Sequence, residues 1–565
     1  MSADEQKVAV VVVGGGPTAL SVVARIIEPY PDHLTERDHN TLLTAVRKTG
    51  KQRPGQKRKD DVPPVESLLP HVAVIDASDD KWMTRWNRYF EAFRIPMLRS
   101  PVFHHPDPRD GLALRTYAKS CGRDAELTPI DSFFDNKRAY KVKSRRGQTQ
   151  QWNNEVHRQN FLLPSSRLFS SFCSSVVDSY GIGDLVRHAT VVDVRPIVDD
   201  ATGAVVKYAV DMAPAGGDCD EVKTIITTAL VLAIGLTNHL SIPEFVASLQ
   251  PGAYPAGRIQ HAYEVHFDAL PDDGSGSQAP LRAGGRRLVF ERASNVLIVG
   301  GGLTGAHIAN LALASGVKHV TLVTRSFILT RQFDVPIDWV GTFKAANMAA
   351  LLTLSPDERL DEIHSVRAGG SIPPRYVAAL KAATAEERLT LVENATVASL
   401  AYDADADAFA GTLEPSKADR EPSYGESGPV FDDIHSVILA TGADEDIGAE
   451  PFLASLLASP ALDLPIERGF PVLSPELQWG RDTNVFVCGG YAALELGPWS
   501  HNLSGSRSSS KRVAPALRRL LHTTIAPPVA DADGGAYSDE DSDSSSSSSS
   551  DAFVASNPYA LLDLE

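Results

Sequence analysis

The chain has 565 residues, 43% of them hydrophobic and 22% charged, so it holds enough apolar sequence for a sizeable core and is not disordered throughout. At roughly 150 residues per domain, this length predicts three or four domains. The net charge of −17 at pH 7 argues against a general nucleic-acid binder, which needs a basic face. The four cysteines are scattered without a CxxC pair, which disfavours a disulfide scaffold or a metal site. No run of about 20 apolar residues occurs, so we predict a cytoplasmic protein without a membrane span.

The first predicted element is a buried strand over residues 8–13, followed by a glycine turn and a helix. Its near-continuous valine run suits a strand covered on both faces, as in a parallel sheet. The turn fits the dinucleotide-binding pattern, in which one glycine permits the bend, the next admits a diphosphate, and a small residue lets the helix pack closely. The alternative is a purely structural turn. The residues predicted to line this diphosphate site are Gly14, Gly15, Gly16, Pro17, Thr18 and Ala19.

The polar stretch 31–70 follows this helix, and between residues 47 and 59 it holds seven Lys or Arg and no acid. We predict a solvated insertion loop there; the alternative is an import or docking signal. The next apolar strand, 71–76, ends in Asp76, which lies 62 residues beyond Gly14 and 22 once the 40 residues of the insertion are removed. Because dinucleotide folds place an acid at about that spacing to hold ribose hydroxyls, Asp76 is predicted to bind ribose.

The strand, turn and helix pattern recurs at residues 294–315, with three glycines in the turn. The strand after it, 319–325, ends in Arg325 where the first copy has an acid. A base here can pair with the 2′-phosphate that an acid would repel, so this site is predicted to prefer NADPH to NADH. The alternative is an exposed cation at a strand end. The residues predicted to hold this second dinucleotide are Gly300, Gly301, Gly302, Thr304, Gly305 and Arg325.

Two such sites in one chain suggest a tightly held flavin and an exchangeable nicotinamide dinucleotide. We assign FAD to the first site, which has Asp76, and NADPH to the second, with electrons passing from NADPH to FAD. The stretch 527–565 is rich in serine and acids and is predicted to be a disordered tail, because it has little to bury.

Further segments match, in order, those of flavoproteins with two dinucleotide-binding domains. These segments are 94–108 (RIPMLRSPVFHHPDP), 229–235 (ALVLAIG), 257–261 (GRIQH), 437–442 (VILATG) and 484–490 (NVFVCGG). With the two glycine turns, they make the sequence resemble flavin-dependent N-hydroxylating (class B) monooxygenases of the L-ornithine N5-/L-lysine N6-monooxygenase type. The resemblance implies an α/β fold with two Rossmann-like dinucleotide-binding domains, the NADPH domain being inserted into a discontinuous FAD domain.

The resemblance also implies a division of the chain. The FAD domain would take residues 1–240 and 446–526, the NADPH domain 241–445 with an exposed excursion at 403–429, and the disordered tail 527–565.

Beyond the two turns, the resemblance implies further residues near the cofactors. They are Trp82, Arg99, Ser100, Gly442, Gly490, Gly497 and Pro498. A helix over 497–521 is expected to direct its N-terminus at the flavin, although a plain amphipathic helix explains that segment as well. The catalytic residue is unknown, with His104, His105 and His261 as candidates, and a single histidine is more often structural than catalytic.

The implied activity is that of an oxidoreductase in which a C4a-hydroperoxyflavin oxygenates a small nucleophilic substrate, by N-hydroxylation where that substrate is an amine. One alternative is an FAD/NADPH enzyme that passes its electrons to an acceptor other than oxygen. The other is a regulatory protein that binds dinucleotides without turnover. The implied partners are a small-molecule substrate and molecular oxygen; relatives are often oligomers, which leaves a homo-oligomer open.

Overall fold

A computed structural model describes most of the chain outside its polar stretches. The described residues are 6–29, 65–130, 140–143, 149–152, 161–215, 221–236, 238–250, 252–264, 294–340, 343–417, 421–423 and 430–525. The predicted tail at 527–565 and most of the predicted insertion at 31–70 lie outside them. Residues 65–71, at the end of that insertion, form a short helix and a 3₁₀ turn instead of a loop.

The secondary structure alternates strands and helices. The strands are β1 (Gln6–Val13), β2 (Val72–Asp76), β3 (Leu127–Pro129), β4 (Tyr140–Lys143), β5 (Thr149–Trp152), β6 (Leu162–Pro164), β7 (Val186–Val198), β8 (Val205–Pro214), β9 (Lys223–Leu232), β10 (Ile259–His261), β11 (Asn295–Val299), β12 (His319–Thr324), β13 (Leu329–Thr330), β14 (Ser371–Ile372), β15 (Leu389–Glu393), β16 (Ala395–Asp403), β17 (Ala408–Pro415), β18 (Val430–Ile434), β19 (Ser436–Leu439), β20 (Ile466–Glu467), β21 (Phe470–Pro471) and β22 (Val485–Val487). The α-helices are α1 (Pro17–Ile27), α2 (Val65–Leu68), α3 (Thr84–Ala92), α4 (Ala113–Ser120), α5 (Ser166–Tyr180), α6 (Glu244–Ala247), α7 (Leu303–Ala314), α8 (Lys344–Leu351), α9 (Pro356–Arg367), α10 (Pro374–Ala385), α11 (Ala454–Leu457), α12 (Ala493–Leu496) and α13 (Leu503–Ile525).

The first sheet is built on parallel strands in the order β7–β2–β1–β9–β22, and β8 joins β7 to β9 in antiparallel pairing. The valine run of β1 is fully buried, because α1 and α13 cover it. Strand β22 comes from the chain that follows the second sheet, yet it pairs with β9. The first sheet is therefore made from two separated parts of the sequence, although the exact domain boundaries stay a prediction.

The second sheet is parallel throughout, in the order β10–β19–β11–β12–β15. Helices α7 and α10 pack on it through buried Ala, Leu and Ile side chains. A three-stranded antiparallel sheet, β16–β17–β18, lies beside it. Its strand β17 falls in the stretch 403–429, and Phe409 on β17 is fully buried. The prediction that this whole stretch is an exposed excursion is therefore wrong for β17, because Phe409 fills the core between the two sheets.

A further apolar cluster joins the parts of the chain that carry the two sheets, which we call the first and the second unit. It includes Leu163 and Trp499 from the first unit and Phe333 and Leu360 from the second. Among the described residues, no helix is both long enough and apolar enough to span a bilayer.

Candidate functional site

The first glycine turn joins β1 to α1 with an open face. Gly14 has φ 107°, and a Cβ at this position would lie 2.4 Å from the carbonyl oxygen of Ala233, so only glycine fits. A Cβ on Gly16 would meet no atom within 4 Å, which leaves free space in front of the helix. Helix α1 begins at Pro17 without a side-chain cap. Open space before uncapped amides is what a diphosphate requires, and the predicted residues therefore fit one.

Asp76 lies at the carboxyl end of β2, directly beside this turn. Its Oδ2 accepts the N–H of Gly15 at 2.6 Å, and its Oδ1 accepts the N–H of Ser78 at 2.7 Å. The side chain thus fixes the glycine turn, a role that the sequence analysis did not predict. A carboxylate offers about four lone-pair positions, so Asp76 keeps capacity for a ribose hydroxyl.

The C-terminal helix closes the other side of the first turn. The hydroxyls of Thr18 and Ser506 are 2.7 Å apart, and Gly489 packs against the Thr18 side chain. Gly490 lies against Leu236, whose Cδ1 would be 2.2 Å from an added Cβ. Ala19 is fully buried, as its packing role requires. Ser506 is therefore a neighbour of the first site that sequence reasoning missed, since nearly 490 positions separate it from Thr18.

The second glycine turn has the same construction. Gly300 has φ 140°, and a Cβ there would lie 2.2 Å from the carbonyl oxygen of Ala440. Gly305 allows equally close packing of α7 on the turn, because its Cβ would lie 2.2 Å from the oxygen of Gly300. Gly301 packs on the side chain of Thr324. Helix α7 begins without a side-chain cap after Gly302, whose own Cβ direction is open.

A glycine that sequence reasoning missed lies against this second turn. An added Cβ on Gly370 would be 2.8 Å from the Cα of Gly302 and 3.4 Å from its nitrogen. The residues before it, Ala368 and Gly369, adopt left-handed backbone angles of 53° and 81°. The loop from α9 to β14 therefore forms one wall of the second dinucleotide site, and that wall tolerates no side chain at position 370.

Arg99 holds this wall in place through hydrogen bonds. Its guanidinium donates to the carbonyl oxygens of Gln332, Ser371, Arg331 and Phe333, and to the Ser371 hydroxyl. Burial lowers the pKa of Arg99 to about 10. Arg99 therefore has a structural role that the sequence did not predict, and its contact with a cofactor stays a prediction.

Arg325 follows β12 directly and is exposed to solvent. Within the part of the chain that the structure describes, its side chain makes no hydrogen bond or ion pair. The exposed ring of Phe327 lies two residues further on, with 46% of its surface accessible. A cation with no internal partner at this strand end is available for a phosphate.

His261 is 1% exposed and both of its ring nitrogens are occupied. Nδ1 accepts the N–H of Tyr263 at 3.1 Å, and Nε2 lies 3.2 Å from the hydroxyl of Thr441, which donates to the carbonyl oxygen of Ser241. Burial lowers the pKa of this imidazole. His261 therefore ties β10 to the loop after β19, and a catalytic role for it stays a prediction.

His104 and His105 are also almost fully buried, in the loop after β2 and α3. His104 packs edge-on between Phe103 and Trp499, and neither of its nitrogens has a hydrogen-bond partner among the described residues. Burial and nearby cations keep the pKa of His104 well below its usual value, and burial lowers the pKa of His105 to about 3. Both rings are consequently neutral near pH 7, and a catalytic role for them stays a prediction.

Trp82, Ser100 and Gly442 were also predicted to lie near the cofactors. Trp82 is 7% exposed, and its indole N–H donates to the carbonyl oxygen of Ile182 at 2.8 Å, so the ring belongs to the core and its cofactor contact stays a prediction. Ser100 is half-buried, and Gly442 has φ 86° with open space around it.

The segment before α13 is held by the second unit. Gly497 packs against Met348 of α8, and the carbonyl oxygen of Pro498 accepts from Arg367 at 2.9 Å. The first amides of α13 already have an acceptor, because Asn502 Oδ1 accepts the N–H of Ser504 at 2.8 Å. The helix begins at Leu503 instead of Gly497, and Asn502 caps it; the cofactor contacts of Gly497 and Pro498 stay predictions.

No family model matches this sequence, and no curated protein matches it in a sequence search. Solved structures do match. The FAD-bound cadaverine monooxygenase of Erwinia amylovora has a TM-score of 0.57 at 14% identity and covers 94% of this chain and 99% of its own. The chain shares the fold of the amine monooxygenases.

Two further structures support that statement. The reduced ornithine hydroxylase of Pseudomonas aeruginosa has a TM-score of 0.56 at 14% identity, and covers 91% of this chain and 99% of its own. The Kutzneria sp. 744 ornithine N-hydroxylase, solved with reduced FAD, NADP⁺ and L-ornithine, has a TM-score of 0.56 at 15% identity with the same coverages. The predicted resemblance is confirmed for the fold.

Proposed function

We propose that this protein is an FAD- and NADPH-dependent oxidoreductase, and specifically a monooxygenase that oxygenates a small substrate at a nucleophilic nitrogen or sulfur. The observation that carries the proposal is the pair of glycine turns, each open in front of an uncapped helix, with Asp76 at one strand end and Arg325 at the other. The shared fold with amine monooxygenases supports the same chemistry.

The residues of the first turn would hold FAD, with the amides of the Gly14–Gly16 turn facing the diphosphate and Asp76 accepting from a ribose hydroxyl. Gly300 and Gly302 would hold NADPH in the same way, and Arg325 would balance the charge of the 2′-phosphate. When bound, these cofactors supply hydride transfer and oxygen activation.

The residues of this chain would position the cofactors and keep water away from them. The loop around Gly370 encloses the second turn, and Arg99 fixes that loop to the first unit. His104 and His105 are buried and neutral near pH 7, so neither imidazole adds a positive charge to the interior. Few acid or base groups are needed, because the cofactors carry the difficult steps.

The test begins with the purified protein. We expect it to be yellow, to release FAD on denaturation, and to be reduced faster by NADPH than by NADH. With a panel of small amines and thioethers, oxygen uptake should yield a product heavier by one oxygen atom in mass spectrometry. A colourless protein that cannot be loaded with FAD would instead favour the regulatory alternative. Flavin that NADPH reduces, but that gives no oxygenated product and passes its electrons to quinone or metal acceptors, would favour the other oxidoreductase.

A further inference from the structure

A cavity of about 150 Å³ lies between the segment Ile95–Arg99 of the first unit and helices α7 and α10 of the second. Most of its wall is apolar, including Phe90, Leu98 and Leu163. An apolar cavity of about this volume holds a molecule the size of benzene, so one ring or a short branched chain fits here.

The polar part of the wall is positive. Arg375 lies in the first turn of α10, a helix of 12 residues whose N-cap residue, Pro373, provides no side-chain cap. Thr304, at the start of α7, marks the border between this cavity and the second glycine turn. No Asp or Glu lines the cavity. The Arg375 guanidinium stacks 4.4 Å from the centre of the Tyr376 ring and has no carboxylate partner among the described residues. These charges favour an anion.

A buried histidine faces the same space. His307, one turn into α7, is 6% exposed and its ring contacts that of Tyr376 edge-on at 4.4 Å. Its nitrogens make no hydrogen bond to any residue in the described ranges, and the side chain lines the cavity, so a ligand there could use its N–H. Burial and Arg375 lower the pKa of His307 to about 4, so near pH 7 it offers one N–H donor without a charge.

We propose that this cavity binds the carboxylate of a small apolar acid, with Arg375 and His307 as donors and the apolar wall around the hydrocarbon part. This inference rests on the proposed function, because the acid is taken to be the substrate of the enzyme, or the part of the substrate that carries the carboxylate. A diamine does not suit the cavity, since no carboxylate would pair with its second ammonium group.

The test measures binding to the FAD-loaded protein by calorimetry, with benzoate, benzylamine and toluene as probes of equal size and different charge. We expect benzoate to bind and benzylamine not to, with toluene at least tenfold weaker than benzoate. Arg375→Gln should weaken benzoate binding roughly 10- to 100-fold, since a charge-assisted hydrogen bond is lost. His307→Phe should weaken it less, and Lys381→Gln, an exposed change on the same helix, should have no effect.

Equal binding of benzylamine, equal binding of toluene, or unchanged benzoate affinity in Arg375→Gln would each overturn the proposal. Adding NADP⁺ to the benzoate titration shows whether the cavity binds the carboxylate of a small acid or a part of the dinucleotide. If NADP⁺ displaces benzoate, the cavity belongs to the dinucleotide and the proposal fails; if both bind together, it stands. Flavin content is measured on the same samples, so a protein that cannot bind FAD defeats the proposed function, whereas FAD-loaded protein that ignores benzoate defeats this inference alone.

Discussion

Arg325→Ala is the sharpest test of the second site. The side chain is exposed and makes no contact within the described chain, so its removal should change the free energy of unfolding by less than about 0.5 kcal/mol. Its expected partner is the 2′-phosphate, and a hydrogen bond to a charged group is worth about 1.5–3 kcal/mol. That range corresponds to a loss of roughly 10- to 150-fold in affinity for NADPH. NADH lacks the phosphate, so its affinity should stay within about twofold.

The assay is a titration of the FAD-loaded protein with NADP⁺ and NAD⁺, together with the KM values for both reduced forms. Lys318→Ala is the matched control, because Lys318 is exposed at the opposite end of the same strand. Raising the salt concentration should weaken NADPH binding by the wild type more than by Arg325→Ala. Equal losses for both dinucleotides in Arg325→Ala would refute the assignment of the phosphate to this residue.

Three further outcomes follow from contacts in the structure. Gly370→Ala should weaken NADP⁺ binding without loss of FAD, because the new Cβ would lie 2.8 Å from Gly302; an unchanged dissociation constant would contradict this. Arg99→Ala leaves buried carbonyl oxygens without a donor and should cost about 2–4 kcal/mol in denaturant unfolding, while the exposed Arg88→Ala should cost under about 0.5 kcal/mol. The pKa of His105 is lowered to about 3, so the unfolded chain binds its proton near pH 6.5 while the folded one stays neutral. Stability should fall below pH 6.5, by up to about 1.4 kcal/mol per pH unit for this group, and His105→Asn should flatten that fall.

The two glycine turns could be predicted because their requirement is local. A backbone angle near 107° at Gly14, with a carbonyl oxygen 2.4 Å from any Cβ, admits only glycine, and the same holds at Gly300. The position of Asp76 also followed once the insertion was removed, since parallel strands end at the same edge of a sheet.

The roles of Arg99 and His261 could not be predicted, because their partners lie far along the chain. Arg99 meets Ser371 across 272 positions, and His261 meets Thr441 across 180. A lone Arg or His in a sequence carries no sign of whether distant carbonyl or hydroxyl groups will use its donors. The contact of Gly370 with Gly302 is hidden for the same reason, since a glycine pair outside any motif predicts only a turn.

The two turns share a pattern but differ in how the chain surrounds them, and this difference bears on which dinucleotide exchanges. At the first turn Asp76 is hydrogen-bonded into the bend and Thr18 meets Ser506 from the last helix, so the strand-end group and the helix are built into the first unit. At the second turn Arg325 has no hydrogen-bond or ion-pair partner among the described residues, and the wall is a loop with left-handed backbone, joined to the first unit through Arg99. A ligand enclosed by the core leaves slowly, whereas one covered by a loop can leave when that loop moves. We therefore expect the proposed flavin to stay bound at the first turn and the proposed nicotinamide dinucleotide to exchange at the second.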